Sequence, residues 1–480
     1  MVSHRLGKHQ SECNASISAK AATFKIRETN KHELAAQDSE TEEDSSRNGF
    51  SCIRRSNCAL KIPADAPTRT EAYKAYMSSH PTAKLIGING GWYDISKFIP
   101  HHPGGSVIAQ FVGKDATPVF KGLHTKDVLK NMRPVATYRL SEADPAAEAF
   151  AELHQFFIKQ GFFQTSAVWY AGKMAFAASL LALTLFLVVG CSSWYWHCLA
   201  SCSLALFWQQ CGFFMHDFMH SQGFHERKID NWIGLACGTL GVGVNSFWWQ
   251  EEHYVHHALT NTVDYENGFF DPQMKEESWA QNKKLFPFFT TRLQRALIAI
   301  QHWTFLPICI IVGRPYIVIA AIVSERRPIV WLALILHIIW VSVLLCQLPT
   351  WTQVFVTYSL ASMLEGILHV QLLVNHYCKP FYERKEVCEE TNWYRMQVEC
   401  NINIKNPVWM DWFHGGLNFH IEHHLFPLMP RHRFREASKH IKAVCARLGI
   451  EYDECYWTTA LVRTLQQLKN AAVVFSLDPR

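Results

Sequence analysis

GGLNFHIEHHLFP, residues 415–427, puts His420, His423 and His424 within five positions of an otherwise apolar, glycine-led run. On a helix, residues three and four apart share one face with side chains roughly 5–6 Å from each other. That arrangement lets two imidazoles reach one ion. The same spacing recurs in HYVHH (His253, His256, His257), and HDFMH carries His216 and His220 at i, i+4. A lone HxxxH is far more often structural than a metal site. Two copies of HxxHH are another matter. With 25 His in 480 residues, one chance copy is expected on the order of a tenth per chain. Two copies plus HxxxH therefore predict metal binding. These eight imidazoles exceed one ion's need, and His376 in LLVNHY, preceded by Asn375, adds a ninth. A ligand set rich in imidazole and free of Cys predicts two metal ions. Iron is favoured, because it activates dioxygen whereas zinc has no redox chemistry. His369, inside the preceding apolar run, reads as a buried residue of that run.

The surroundings point to a membrane. Apolar runs occur at 166–190, 194–215, 297–323, 329–348 and 351–373, and two polar, His-bearing stretches, 216–296 and 374–480, lie between and after them. About 20 apolar residues suffice to span a bilayer. The His-bearing stretches must meet, so an even number of crossings separates them. The charged SERRP loop (324–328) belongs on the cytosolic side and the uncharged QLPT (347–350) on the other. Thus 329–348 and 351–373 are expected to cross as a hairpin. Run 297–323, interrupted by Arg314 and Pro315, is expected to lie along the cytosolic face or re-enter, leaving about four spans. Aromatics are 13 % with 17 Trp, suited to membrane interfaces. The net charge of +5 calls for no nucleic-acid partner. The 15 Cys lack a disulfide-framework spacing, as expected of a reducing cytosol. Residues 1–60 are polar and low in aliphatics, too poor in apolar surface to offset chain entropy, and are expected to be disordered. The N-terminus has no signal-peptide stretch.

A second chemistry sits at 98–129, FIPHHPGGSVIAQFVGKDATPVFKGLHTKDVL. His102 precedes Pro-Gly-Gly, a rigid turn that fixes its ring, and His124 follows later. Two histidines on opposite walls of an apolar pocket would make a six-coordinate haem that passes electrons. His101 reads as a surface residue. With GGWYDISKF before it and GKDAT after it, this stretch resembles cytochrome b5 over about residues 65–140. The resemblance implies haem b with His102 and His124 as axial ligands.

From about 65 to 450 the chain is similar to the front-end fatty acyl desaturases, in which a cytochrome b5 domain precedes three histidine boxes in this order. HDFMH, HYVHH and HIEHH stand for the boxes, within WFHGGLNFHIEHHLFP. The family's third box usually begins with Gln where this chain has His420, which leaves the position of the new double bond open. The resemblance implies a multi-domain protein: a small α+β haem domain (61–142), a linker and amphipathic helix (143–164), an all-α membrane desaturase domain (165–460) capped by the boxes on the cytosolic side, and a C-terminal tail (461–480). It also implies an acyl-CoA or phospholipid substrate, O2, NADH acting through a separate cytochrome b5 reductase, and an endoplasmic reticulum membrane. A sphingolipid long-chain-base desaturase, a lipid hydroxylase and a non-enzymatic haem or metal-binding membrane protein stand as alternatives. Trp248, Trp249, Gln250, Trp393 and Gln397 are candidates to line a substrate channel. Asp217 and Glu422 either orient ligand imidazoles or face solvent. The basic PRHRFREASKHIKAVCARLG reads as a solvated or headgroup-facing helix.

Overall fold

A computed structural model describes the chain from residue 60 to 478 except 61, 64, 125–127, 141–143, 275–277, 325–326 and 390–391. The segment 1–60, expected to be disordered, lies outside the described residues but for its last position.

The first folded part is α+β. Helix α1 (Arg69–Ser79) starts at a capping box, in which the Thr68 hydroxyl accepts from the Glu71 N–H and the Glu71 carboxylate accepts from the Thr68 N–H. Strands β1 (Leu85–Ile88) and β2 (Gly91–Asp94) pair antiparallel across Asn89–Gly90. Both turn residues have positive φ, 50° and 81°, as a two-residue hairpin requires. Helix α2 (Thr117–Leu123) follows, and β3 (Ala136–Thr137) completes a sheet of order β1-β2-β3. The amphipathic α3 (Pro145–Lys159), capped by Asp144, does not hang free as a linker. It buries Phe150 and Phe157, whose rings lie 5.4 Å from Tyr394 and 5.2 Å from Phe426. One apolar core runs from Ile86 of β1 through α3 to Ile421, Leu425 and Cys445. The haem-type domain and the histidine-bearing segments are thus packed as one body.

Two long helices lead into the His-bearing part, α4 (Ala167–Gly190) and α5 (Trp194–Met219). The short α6 (Arg227–Gly234) and α7 (Ser246–Ala258) follow. Strands β4 (Thr262–Asp264) and β5 (Phe269–Phe270) then form a hairpin, with β6 (Tyr382–Glu383) on the other edge of β4. Between them come α8 (Gln301–Ser324), α9 (Pro328–Leu345) and α10 (Trp351–Val374). The remainder is α11 (Trp393–Glu399), α12 (His420–Leu425), α13 (Phe434–Leu448) and α14 (Trp457–Leu477). The boundary expected at 460 falls inside α14, which buries Ala460, Leu468, Ala471 and Phe475 in a second core. The tail is therefore part of the packed domain.

Among the described residues, four helices are long and apolar enough to cross a membrane: α4, α5, α8 and α9. The number agrees with the sequence reading, but the membership differs. Helix α10 falls short because Gln353, Glu365, His369 and Gln371 dilute its apolar run, and most of these are buried in the bundle. Helix α8 qualifies and is not broken at Arg314–Pro315. The turn Ile308–Val312 is a π-helix, which absorbs the donor that Pro315 lacks. Arg314 turns inward, its guanidinium 3.4 Å from the Trp208 ring centroid and its Nη2 donating to His337 Nε2 at 3.3 Å. A charge within an apolar run is tolerated when it is paired in this way.

Helices α8 and α10 touch closely at Gly366, where an added Cβ would sit 2.6 Å from the Cys309 carbonyl oxygen and 2.8 Å from the Ile310 Cα. Backbone cannot yield as a side chain can, so Gly366→Leu is expected to destabilise the bundle by about 1–3 kcal/mol or more. Gly172 on α4 meets nothing within 4 Å. Gly172→Ala is the matched control, expected to leave the melting temperature of the detergent-purified protein unchanged.

Candidate metal centre

All nine predicted histidines converge. His216 ends α5 and His220 caps it; His253, His256 and His257 lie on α7; His376 follows α10; His420, His423 and His424 lie on α12. Their nitrogens fall into two sets in which every ligand atom lies within 4.8 Å of the others. One is His216, His220, His253 and His423; the other is His256, His376 and His424. His257 joins the sets, its Nε2 3.1 Å from His253 Nε2 and its ring stacked 4.3 Å from His424. His420 stands beside the second set, its Nε2 2.8 Å from His376 Nε2. His369 belongs to neither set.

The donor chemistry fits bound cations. Eight of the nine side chains are buried, and burial pushes the titration of His253, His257, His376, His420, His423 and His424 well down, so each ring is a neutral ligand. His220 Nε2, His257 Nδ1, His420 Nδ1, His423 Nδ1 and His424 Nε2 are buried without a hydrogen-bond partner. Such orphaned atoms are costly unless something binds them.

Neighbouring groups aim the rings. Asp271 Oδ2 accepts from His256 Nδ1 at 2.7 Å, the Gln273 amide oxygen from His253 Nδ1 at 2.6 Å, the Gln397 amide oxygen from His424 Nδ1 at 2.9 Å, and the Cys400 carbonyl from His376 Nδ1 at 3.1 Å. Each bond places the N–H on Nδ1 and leaves the Nε2 lone pair for a metal. Asp271 is carried back to the second box by the β4–β5 hairpin, where its N–H donates to Thr262 O. Sequence reasoning passed over Asp271 and Gln273; the signal was FFDPQ, an acid and an amide shortly after HYVHH. The carboxylates it did weigh act elsewhere. Glu422 is buried and touches no imidazole: it accepts from Asn403 Nδ2 and from the Tyr452 hydroxyl, and burial raises it to about 7. Asp217 approaches His216 Nδ1 only to 3.6 Å, while its other oxygen holds Arg431 Nε at 3.0 Å and the Tyr170 hydroxyl.

An apolar cavity abuts the histidines. Phe213, Met215, Val244, Leu368, Leu417 and Trp249 line it together with His216, His420 and His423. Of the five channel candidates, Trp249 alone lies on it, stacked 4.1 Å from His253. Gln250 donates to Met219 O, and Trp248 is not on the cavity wall. Trp393 donates to Ala258 O and packs against Gly122 of the haem-type domain. Gln397 aims His424, as above.

In the first domain, the His102 and His124 rings face each other with centroids 6.3 Å apart. Their Nδ1 atoms donate to Gly105 O and Phe120 O, which leaves both Nε2 atoms for a ligand. The pocket between them, about 380 Å³, is lined by Ile86, Ile88, Val107, Phe111 and Leu129, a set suited to a flat apolar macrocycle. His101 is exposed and plays no part. The pocket also reaches His220, Arg227 and Tyr254 of the second domain. His220 therefore belongs to both sites.

Replacing His102 by Ala is expected to remove the haem absorbance of the purified protein while leaving its non-haem metal content intact. Asp271→Asn is expected to do the reverse. It should weaken metal retention about 10–100-fold, read as metal per chain by mass spectrometry across a chelator series, with the haem spectrum unchanged.

The family described as fatty acid desaturase matches residues 192–456, and that described as cytochrome b5-like haem/steroid binding domain matches residues 72–154. The chain is 29 % identical to an acyl-lipid (9-3)-desaturase of Borago officinalis over 81 % of its length and 90 % of the relative. It is 29 % identical to Delta(8)-fatty-acid desaturase 2 of Arabidopsis thaliana, again over 81 % and 90 %. A Delta(6)-fatty-acid desaturase of Caenorhabditis elegans is 26 % identical over 80 % of this chain and 95 % of the relative. The segments that carry the buried imidazoles are those the first family spans, and the chain belongs to the fatty acid desaturase family, with a cytochrome b5-like domain fused ahead of it.

Proposed function

We propose that this chain is a front-end desaturase, which uses O2 to insert a cis double bond between an existing double bond and the carboxyl end of a long-chain polyunsaturated acyl chain. One observation carries the reading: nine histidines from four separate segments converge, three of them (His216, His420 and His423) on the wall of an apolar cavity, beside a bis-histidine pocket built into the same body. His216, His220, His253 and His423 would hold one iron ion, and His256, His376 and His424, with His420, the other; His257 lies between. His102 and His124 would hold haem b. When bound, these groups supply one-electron transfer and dioxygen activation, with NADH as the distal source through a separate cytochrome b5 reductase. The setting proposed is the endoplasmic reticulum membrane, with both sites facing the cytosol.

The residues of the chain have distinct tasks. Phe213, Leu368 and Leu417 hold an alkyl segment against His216 and His423 and exclude water from it. C–H bonds along an acyl chain are chemically alike, so the carbon attacked is the one this wall presents, and selectivity is geometric. Trp249, stacked on His253, fixes both the ring and the cavity wall. Asp271, Gln273 and Gln397 keep the imidazoles in their binding tautomers.

Yeast expressing the chain and fed C18 to C22 polyunsaturates is expected to accumulate an acyl product with one additional double bond on the carboxyl side of an existing one, located by mass spectrometry. His424→Ala should abolish that product while the haem spectrum persists. Unaltered acyl chains with altered long-chain bases would instead support the sphingolipid reading, and product from the His424→Ala enzyme would overturn the site.

A further inference from the structure

Another cavity, about 380 Å³, shares part of its wall with the apolar cavity beside the histidines and has a different character. Its walls come from the start of α4 (Trp169, Lys173), the segment before α12 (Trp409, Asp411, Trp412) and the loop into α13 (Arg431, His432, Arg435). Gly415, Gly416 and Arg431 line both cavities. The two are therefore divided only by this pair of side-chain-free residues and one arginine. Both glycines have positive φ, 59° and 96°, and a Cβ on Gly415 would collide with the Phe213 ring.

The charges here are asymmetric. Asp411, the acid on the wall, is already occupied: it accepts two bonds from Arg435 and further bonds from Asn406 and Asn418. Arg431 is held by Asp217 and donates to Gly415 O. Lys173 has no acidic partner within 4.0 Å among the described residues, and its ammonium rests over the Trp169 ring at 5.4 Å. The His432 ring lies tilted 5.4 Å from the same Trp169, and both of its buried nitrogens lack a partner. Beside the cavity Val408 and Trp409 are 67 % and 71 % exposed, as at a bilayer interface. A snorkelling lysine and an interfacial tryptophan account for Lys173 and Trp409 alone. They do not account for a polar cavity that shares Gly415, Gly416 and Arg431 with an apolar one lined by histidines.

We propose that this cavity binds the phosphate-bearing headgroup of the acyl carrier, with Lys173 as its principal cation, so that the attached chain passes Gly415–Gly416 toward the histidines. The inference rests on the desaturase reading. Two carriers share the chemistry, a coenzyme A thioester from water and a phospholipid from the bilayer.

The test uses the full-length holoenzyme in nanodiscs. Wild type, Lys173→Gln and Lys173→Arg are given linoleoyl-coenzyme A or a linoleoyl phosphatidylcholine. A lost charge-assisted contact should raise KM about tenfold in Lys173→Gln with kcat within about twofold, and Lys173→Arg should restore it. The carrier for which KM rises is the natural source. An unchanged KM for both carriers overturns the proposal. Binding of coenzyme A and of dioctanoyl phosphatidylcholine is measured in parallel. If the wild type turns over neither carrier yet binds one, and Lys173→Gln weakens that binding about tenfold, the headgroup site stands and the desaturase reading falls. If neither binds, or binding ignores the substitution, the site falls.

Discussion

The structure is organised around buried imidazole nitrogens that the protein alone does not satisfy. A buried polar atom without a partner costs about 1–3 kcal/mol. Five ring nitrogens in the cluster are in that position. On four rings of the cluster, Asp271, Gln273, Gln397 and the Cys400 carbonyl each hold an Nδ1. His424 shows both features, its Nδ1 held by Gln397 and its Nε2 left open. Bound cations would offset that cost. It follows that helix ends, rather than helix middles, had to meet: α5 and α10 deliver histidines at their last turns, and the short α7 and α12 close the cluster from the polar side.

This requirement also bears on topology. His256 and His376 sit 4.7 Å apart between ring centroids, although α8, α9 and α10 separate them in sequence. An even number of complete crossings must intervene, so one of those three helices does not fully cross. Packing the haem-type domain onto the same face is the second consequence. The core that α3 shares with Ile421 and Phe426 fixes the bis-histidine pocket against His220 and Tyr254. A donor held there needs no diffusional encounter with the metal site, and in that arrangement the fusion of the two domains acquires a physical purpose.

Much of this was legible in the residues. HxxHH at helical spacing picked out histidines that converge, because the 3.6-residue period leaves few other reasons for that pattern, and HPGG with His124 picked out the two rings that face the apolar pocket. The hairpin at Asn89–Gly90 could be read from turn chemistry. What escaped were relations between distant segments. Asp271 looked like any turn acid until the β4–β5 hairpin returned it to His256. Glu422 looked like a partner because it adjoins His423, but on α12 it points away, to Asn403 and Tyr452. Arg314 and Pro315 looked like a break, because neither the π-helical turn nor the Trp208 face that receives the guanidinium can be seen in a hydropathy run.

His420 is where this chain departs from the pattern of its family, and the geometry shows what the departure does. Its Nε2 faces His376 Nε2 at 2.8 Å, so it adds a nitrogen donor on the side of the smaller set, that of His256, His376 and His424. With His420 counted, the two proposed sites have four imidazoles each. A glutamine in its place would offer an amide, a weaker and harder donor than imidazole for a first-row metal. The substitution therefore makes the two sites more alike in donor strength. His420 also lines the apolar cavity, together with Phe213, Leu368, Leu417 and Trp249. His420 thus stands where the proposed ligand set and the proposed acyl wall meet, so a change there bears on both.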